Sequence, residues 1–127
     1  MSDDVAVGGF SGRLGARAEA TDDGSARLSF EVTDEHLNPA GTLHGGVLAT
    51  LVDTAMGLAV RTTTGEGEVP ATSQLTVTYL RPGKVGSLQV TARLRTRGEH
   101  ITVCEADVHQ EGKDLVHAVA TFALLER

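Results

Sequence analysis

The sequence predicts an α+β fold, an antiparallel sheet of about six strands wrapped around one long central helix. Three observations predict it. One apolar run, Gly45 to Arg61, is too long for an ordinary strand and is rich in the helix formers Ala, Leu and Met. Stretches on both sides of it alternate apolar and polar residues with period two. Clusters of Gly, Asp, Pro and Lys separate those stretches as turns.

In chain order, SGRLGARAEAT and SARLSFEVT flank Thr21-Asp22-Asp23-Gly24, a turn composition, and predict a hairpin. The second strand sets Ala26, Leu28, Phe30 and Val32 on one face against Arg27, Ser29 and Glu31. TDEHLNPAGTLHGG is rich in breaker residues and feeds the helix, and TTTGEGEVP follows it as a loop. Four strand-like runs close the chain: ATSQLTVTYL, SLQVTARLRTR, ITVCEADVH and DLVHAVATFALL. Arg81-Pro82-Gly83-Lys84, Arg97-Gly98-Glu99-His100 and Gln110-Glu111-Gly112-Lys113 separate them as turns, so they read as a meander.

With 127 residues the chain reads as a single domain over 1–127, with about the first ten residues as a flexible tail. Its 40% hydrophobic and 22% charged residues are those of a globular protein. A formal net charge of −6 argues against a general nucleic-acid binder, which needs surplus Lys and Arg for phosphates. The single cysteine, Cys104, cannot form an intrachain disulfide and sits in a strand as packing. MSDDVAVGGF is acidic and lacks the apolar core of a secretory signal. The longest apolar segment is short for a membrane span and carries a charge, so a cytoplasmic protein with no membrane partner is expected. His36, His44, His100, His109 and His117 lack a recognisable ligand spacing, so no metal is expected.

Asp53 is the one charged residue between His44 and Arg61. At 3.6 residues per turn it shares a stripe with Gly46, Thr50 and Gly57. The rest of the helix is apolar nearly all round, and such a helix is buried nearly all round. A lone sheet leaves part of it wet. A partner subunit over the small and polar stripe would place Asp53 in a cleft between chains. Two structural readings compete: Asp53 as the cap of a second helix starting at Thr54, or Asp53 on a solvated stripe.

HLNPAGTLHGGVLATLVDTAMGLA resembles the signature of the hotdog-fold acyl-CoA thioesterases of the phenylacetate-pathway, PaaI-like subgroup. The resemblance runs through Asn38, Gly41, His44, Gly45, Gly46 and Asp53, and ATSQLTVTYLRPGKVG resembles the strand and turn that follow. It implies a homodimer or homotetramer, two chains paired edge to edge, with sites between subunits. It implies an enzyme that hydrolyses acyl-CoA to free acid and coenzyme A, with aryl-acyl and medium-chain groups as candidate substrates. Coenzyme A is then part of the substrate, and no cofactor is implied.

By the same resemblance Asp53 is the catalytic carboxylate, as general base or as nucleophile, and Gly45 supplies a backbone N–H to the oxyanion. The chemistry agrees. A carboxylate in an apolar cleft is less solvated and a better base than one in water, and a helix start has free N–H groups and positive dipole character. Asn38 and His44 map to positions that orient water or the substrate carbonyl. Thr72 maps to one that holds the attacking water beside the other chain's groups, with Ser73 as the alternative. Arg81, Lys84 and Gly46 map to coenzyme A contacts; Arg93, Arg95 and Arg97, on one strand face, are either further cations or a solvated row. Two other readings are weighed: a hotdog hydratase or dehydratase, whose His-carboxylate motifs are not in place around this helix, and a non-catalytic acyl-CoA binder, which would gain nothing from Asp53.

Overall fold

The computed structural model describes residues 5–126. The elements are β1 (Val5–Ala6), α1 (Gly9–Leu14), β2 (Arg17–Asp22), β3 (Ser25–Val32), a 3₁₀ turn at Asp34–His36, α2 (Gly45–Arg61), β4 (Glu68–Tyr79), β5 (Gly86–Arg97), β6 (Ile101–Gln110) and β7 (Lys113–Glu126). All strands join one antiparallel sheet in the order β1-β2-β3-β5-β6-β7-β4. This is the expected α+β hotdog layout with a two-residue strand added at one edge.

α2 lies across one face of the sheet and buries Leu48, Leu51, Val52, Ala55, Met56, Ala59 and Val60. Opposite stand the inward residues of the strands, among them Leu28, Phe30, Val32, Leu88, Val90, Cys104, Val108 and Val116. Alternation decides which side chains these are, because a one-residue slip would turn every one of them to solvent. Small residues at Ala92, Ala106, Ala118 and Ala120 let the helix lie close. Cys104 is packing, as expected; burial pushes its thiol up to about 12. Among the described residues no helix is long and apolar enough to cross a membrane.

Two local expectations are corrected. SGRL is not strand but the end of α1, closed by Gly15 in the left-handed region at φ 114°. Within the expected tail, Val5–Ala6 pair with β2 and Gly9 opens α1, while residues 1–4 lie outside the described residues. The last four strands are not a simple meander. β5, β6 and β7 follow one another, but β4 pairs with β7 at the far edge. The segment around Arg81–Lys84 is therefore a crossing, not a hairpin. It runs past the ends of β7 and β6, with Leu80 and Arg81 N–H donating to the Leu115 carbonyl at 2.7 and 3.3 Å. Gln110, 5% exposed, clamps it from β6, accepting from Lys84 N–H at 3.0 Å and donating to the Lys84 carbonyl at 2.7 Å.

Candidate active site

α2 is unbroken through Asp53 to Arg61, so Asp53 caps no second helix. None of Gly46, Thr50, Asp53 and Gly57 is buried. Asp53 is half-buried in a hollow of about 240 Å³ whose walls include Gly57, Pro70, Thr72 and Phe122. It is neither in hydrocarbon nor in open solvent.

Thr72 reaches it from β4, its hydroxyl donating to Asp53 Oδ1 at 2.6 Å. β4 carries one extra residue here: Thr72 stands opposite Phe122 and Gln74 opposite Thr121, leaving Ser73 unpaired. Ser73 donates to the Thr121 carbonyl at 3.1 Å and does not reach the carboxylate. Thr72 thus touches Asp53 of its own chain, where the expected contact was a water beside the other chain's groups. A hydroxyl donor fixes one carboxylate oxygen and leaves the other to act.

The second cluster is at the start of α2. His44 is the N-cap, with extended backbone at φ −61° and ψ 130°, and its Nδ1 accepts from Gly46 N–H at 2.8 Å. An imidazole that accepts at Nδ1 carries its proton on Nε2, so His44 presents an Nε2–H donor. The Gly45 N–H has no partner among the described residues. Both glycines have close neighbours. A Cβ on Gly46 would lie 2.9 Å from His44 Nδ1, and one on Gly45 would lie 3.3 Å from the Tyr79 hydroxyl and ring.

Asn38 organises the loop before the helix. Its Oδ1 accepts from Ala40 and Thr42 N–H at 2.9 and 3.2 Å, and its Nδ2 donates to Thr42 Oγ1 at 2.9 Å. One Nδ2 hydrogen is left for a substrate or water. His44 N–H donates to the His36 carbonyl and Leu43 N–H to Gly83, which ties the loop to the crossing segment.

A cleft of about 470 Å³ opens beside this helix start, lined by Leu43, Gly45, Gly46, Leu48, Tyr79, Leu80, Arg81, Pro82 and Gly83. Arg81 and Pro82 also line a neighbouring hollow of about 240 Å³ with Lys84, Gln110, Glu111, Lys113 and Leu115. Arg81 Nη1 donates to the Asp114 carbonyl at 2.9 Å, and Lys84 pairs with Glu111 at 2.9 Å on open surface. Such an exposed ion pair is weak. Lys113 is a further cation here that the turn composition hid.

The other arginines do not form one row. β5 has an extra residue at Arg95, so Arg93 and Arg95 meet Glu105 on the outer face, while Arg97 turns to Thr63 and Glu68. Among the described residues no group of three or more His, Cys, Asp or Glu side chains is arranged to hold a metal.

The chain as a whole is similar to known proteins. The family model described as the thioesterase superfamily matches residues 40–125. The chain is 35% identical over 81 residues to mouse acyl-coenzyme A thioesterase 13, covering 62% of this chain and 56% of that protein. It is 33% identical over 96 residues to the acyl-coenzyme A thioesterase PaaI of Escherichia coli, covering 75% and 66%. A solved structure of a conserved protein from Pseudomonas aeruginosa superposes with a TM-score of 0.90 at 29% identity, covering 94% of this chain and 96% of that one. The chain thus spans somewhat more than half the length of the curated relatives it matches.

Proposed function

The chain belongs to the thioesterase superfamily, as a PaaI-like hotdog protein, and from that premise we propose that it hydrolyses acyl-CoA thioesters. The observation that carries this reading is the Asp53 carboxylate, half-buried on an otherwise apolar helix and held by the Thr72 hydroxyl at 2.6 Å. A binding module has no use for that arrangement. A water-activating or attacking carboxylate does.

The active centre belongs to two subunits. Asp53 and Gly45 are eight residues apart on one straight helix, hence about 12 Å apart along its axis, too far to act on one carbonyl. β4 lies at a sheet edge, with Thr72 near one end and Tyr79 near the other. Antiparallel pairing of β4 with its copy sets the Asp53–Thr72 end of one subunit against the Gly45–Tyr79 end of the other. A homodimer is the minimum assembly, and a homotetramer keeps the same pairing.

In that centre the thioester carbonyl lies against the Gly45 N–H, with the His44 Nε2–H and the spare Asn38 hydrogen as further donors. As general base, Asp53 takes a proton from water while the water oxygen bonds to the carbonyl carbon. The oxyanion forms against donors already in place. Its collapse breaks the C–S bond, and the thiolate of coenzyme A takes the proton. As nucleophile, Asp53 adds to the carbon itself, expels the thiolate and forms an anhydride that water then opens. The substrate's phosphates fall to Arg81, Lys84 and Lys113, with the pantetheine arm in the adjoining cleft past Gly46.

A thiol-release screen over short, long and aromatic acyl-CoAs tests the reading, with Asp53→Ala as control. Wild-type protein should release thiol, and Asp53→Ala should lose at least about a hundredfold in kcat while retaining fold and assembly. Undiminished turnover in folded Asp53→Ala, or acyl-CoA binding without hydrolysis across the panel, rejects it.

A further inference from the structure

Tyr79, the chain's single tyrosine, makes a hydrogen bond for which neither the fold nor the proposed chemistry has yet given a use. It stands at the end of β4, 51% exposed, on the wall of the 470 Å³ cleft. Its hydroxyl donates to the Gly45 carbonyl at 2.8 Å. That carbonyl and the Gly46 N–H belong to one amide, and the Gly46 N–H donates to His44 Nδ1 at 2.8 Å. The bonds therefore run in series, from phenol through one peptide group to imidazole.

We propose that Tyr79 is a positioning residue, which acts through the Gly45–Gly46 peptide to hold His44 with its Nε2–H aimed at the reacting carbonyl. Helix capping does not account for the bond. The start of a helix lacks acceptors for its N–H groups, and its carbonyls are satisfied from within, so a donor on a carbonyl there meets no need of the helix. Packing within the subunit does not account for it either, since Tyr79 is about half exposed in its own chain. Donation into an amide oxygen polarises the amide and strengthens the bond its N–H makes. The partner of that bond is the nitrogen that fixes the His44 tautomer. The ring's approach to Gly45 also makes a side chain there a tight fit, with a Cβ 3.3 Å from the ring and hydroxyl.

The catalytic consequence rests on the thioesterase reading, but the positioning does not. Tyr79→Phe keeps the ring and deletes the donor. In that variant kcat should fall about three- to tenfold, the worth of one hydrogen bond, with KM within about twofold of wild type. Tyr79→Leu, which removes the wall as well, should also raise KM. Nitrogen-15 spectra of the unliganded protein give the readout that a merely structural role would not move. Tyr79→Phe should shift the Gly46 amide proton upfield and draw the two His44 ring nitrogens toward a common value as the tautomer loosens. Unchanged His44 nitrogen shifts overturn the positioning role whatever the kinetics. Shifted nitrogens with unchanged kcat overturn its effect on turnover. If wild-type protein hydrolyses no acyl-CoA, the thioesterase reading fails and the spectra still decide the relay.

Discussion

Replacing Gly46 with alanine should leave the protein about as stable as before and far slower. The added Cβ would sit 2.9 Å from His44 Nδ1 and 3.0 Å from its Cε1, whereas ordinary contact begins near 3.4 Å. The imidazole must retreat by about 0.5 Å, which stretches its 2.8 Å bond from Gly46 N–H toward the limit of a useful hydrogen bond. Loss of an N-cap costs about 0.5–2 kcal/mol. Glycine to alanine inside a helix returns up to about 1 kcal/mol. The two nearly cancel, and the midpoint of thermal unfolding should move by no more than about 5 °C. Turnover has no such compensation. Misplacement of about 1 Å costs about a hundredfold, so about half that distance should cost about tenfold in kcat. Thermal denaturation followed by circular dichroism reads the first quantity, and thiol release the second. Wild-type turnover in a folded Gly46→Ala protein would refute the reasoning, because His44 would then do nothing that depends on its place.

Thr72→Ala should lower kcat about tenfold, the worth of a hydrogen bond to a charged group, and Thr72→Ser should restore most of it; steady-state kinetics on the three proteins checks this. Burial pushes the Asp107 carboxyl up, but His117 at 2.8 Å and Arg93 at 3.3 Å outweigh it and hold the group below its ordinary value. A carboxyl lowered on folding adds stability that is fully present above its unfolded value, about 3.9, and is lost as pH falls through the folded one. Urea titrations of wild type and Asp107→Asn should therefore differ at pH 7 and converge below about pH 3.9. Cys104, pushed up to about 12 and fully buried, should resist maleimide in native protein and react on unfolding; rapid native labelling would contradict its place in the core.

Most of the architecture was legible because period and turn chemistry agree. The β2–β3 turn has Asp23 at φ 33° and Gly24 at φ 87°, the two positive values a tight hairpin demands, and Glu111-Gly112 repeats the device at 51° and 75°. Asp53 was legible as a charge inside an apolar run, and no residue of its stripe is buried. What could not be read depends on partners far along the chain. The six residues of α1 have no period to detect, and α1 is held against α2 by Ser11 and Thr54. Arg81-Pro82-Gly83-Lys84 has the composition of a hairpin, yet Leu115 and Gln110 make it a crossing. One extra residue at Arg95 turned Arg97 from the expected row. Tyr79 sits in an ordinary strand pattern, and only the 34-residue reach to Gly45 gives its hydroxyl a meaning.

The unpaired Ser73 acts as a change of phase along an otherwise regular strand. Beyond it the odd positions face inward, with Leu75 and Val77 on the core and Tyr79 on the helix start; before it the even position 72 does. Perfect alternation would have delivered residue 73 to the carboxylate and turned Thr72 to water. One strand thus reaches the helix twice, at its middle through the Thr72 hydroxyl and at its start through that of Tyr79. Removing that residue would leave Thr72 opposite Phe122 and Gln74 opposite Thr121 in a regular ladder, so both contacts with the helix should survive its loss.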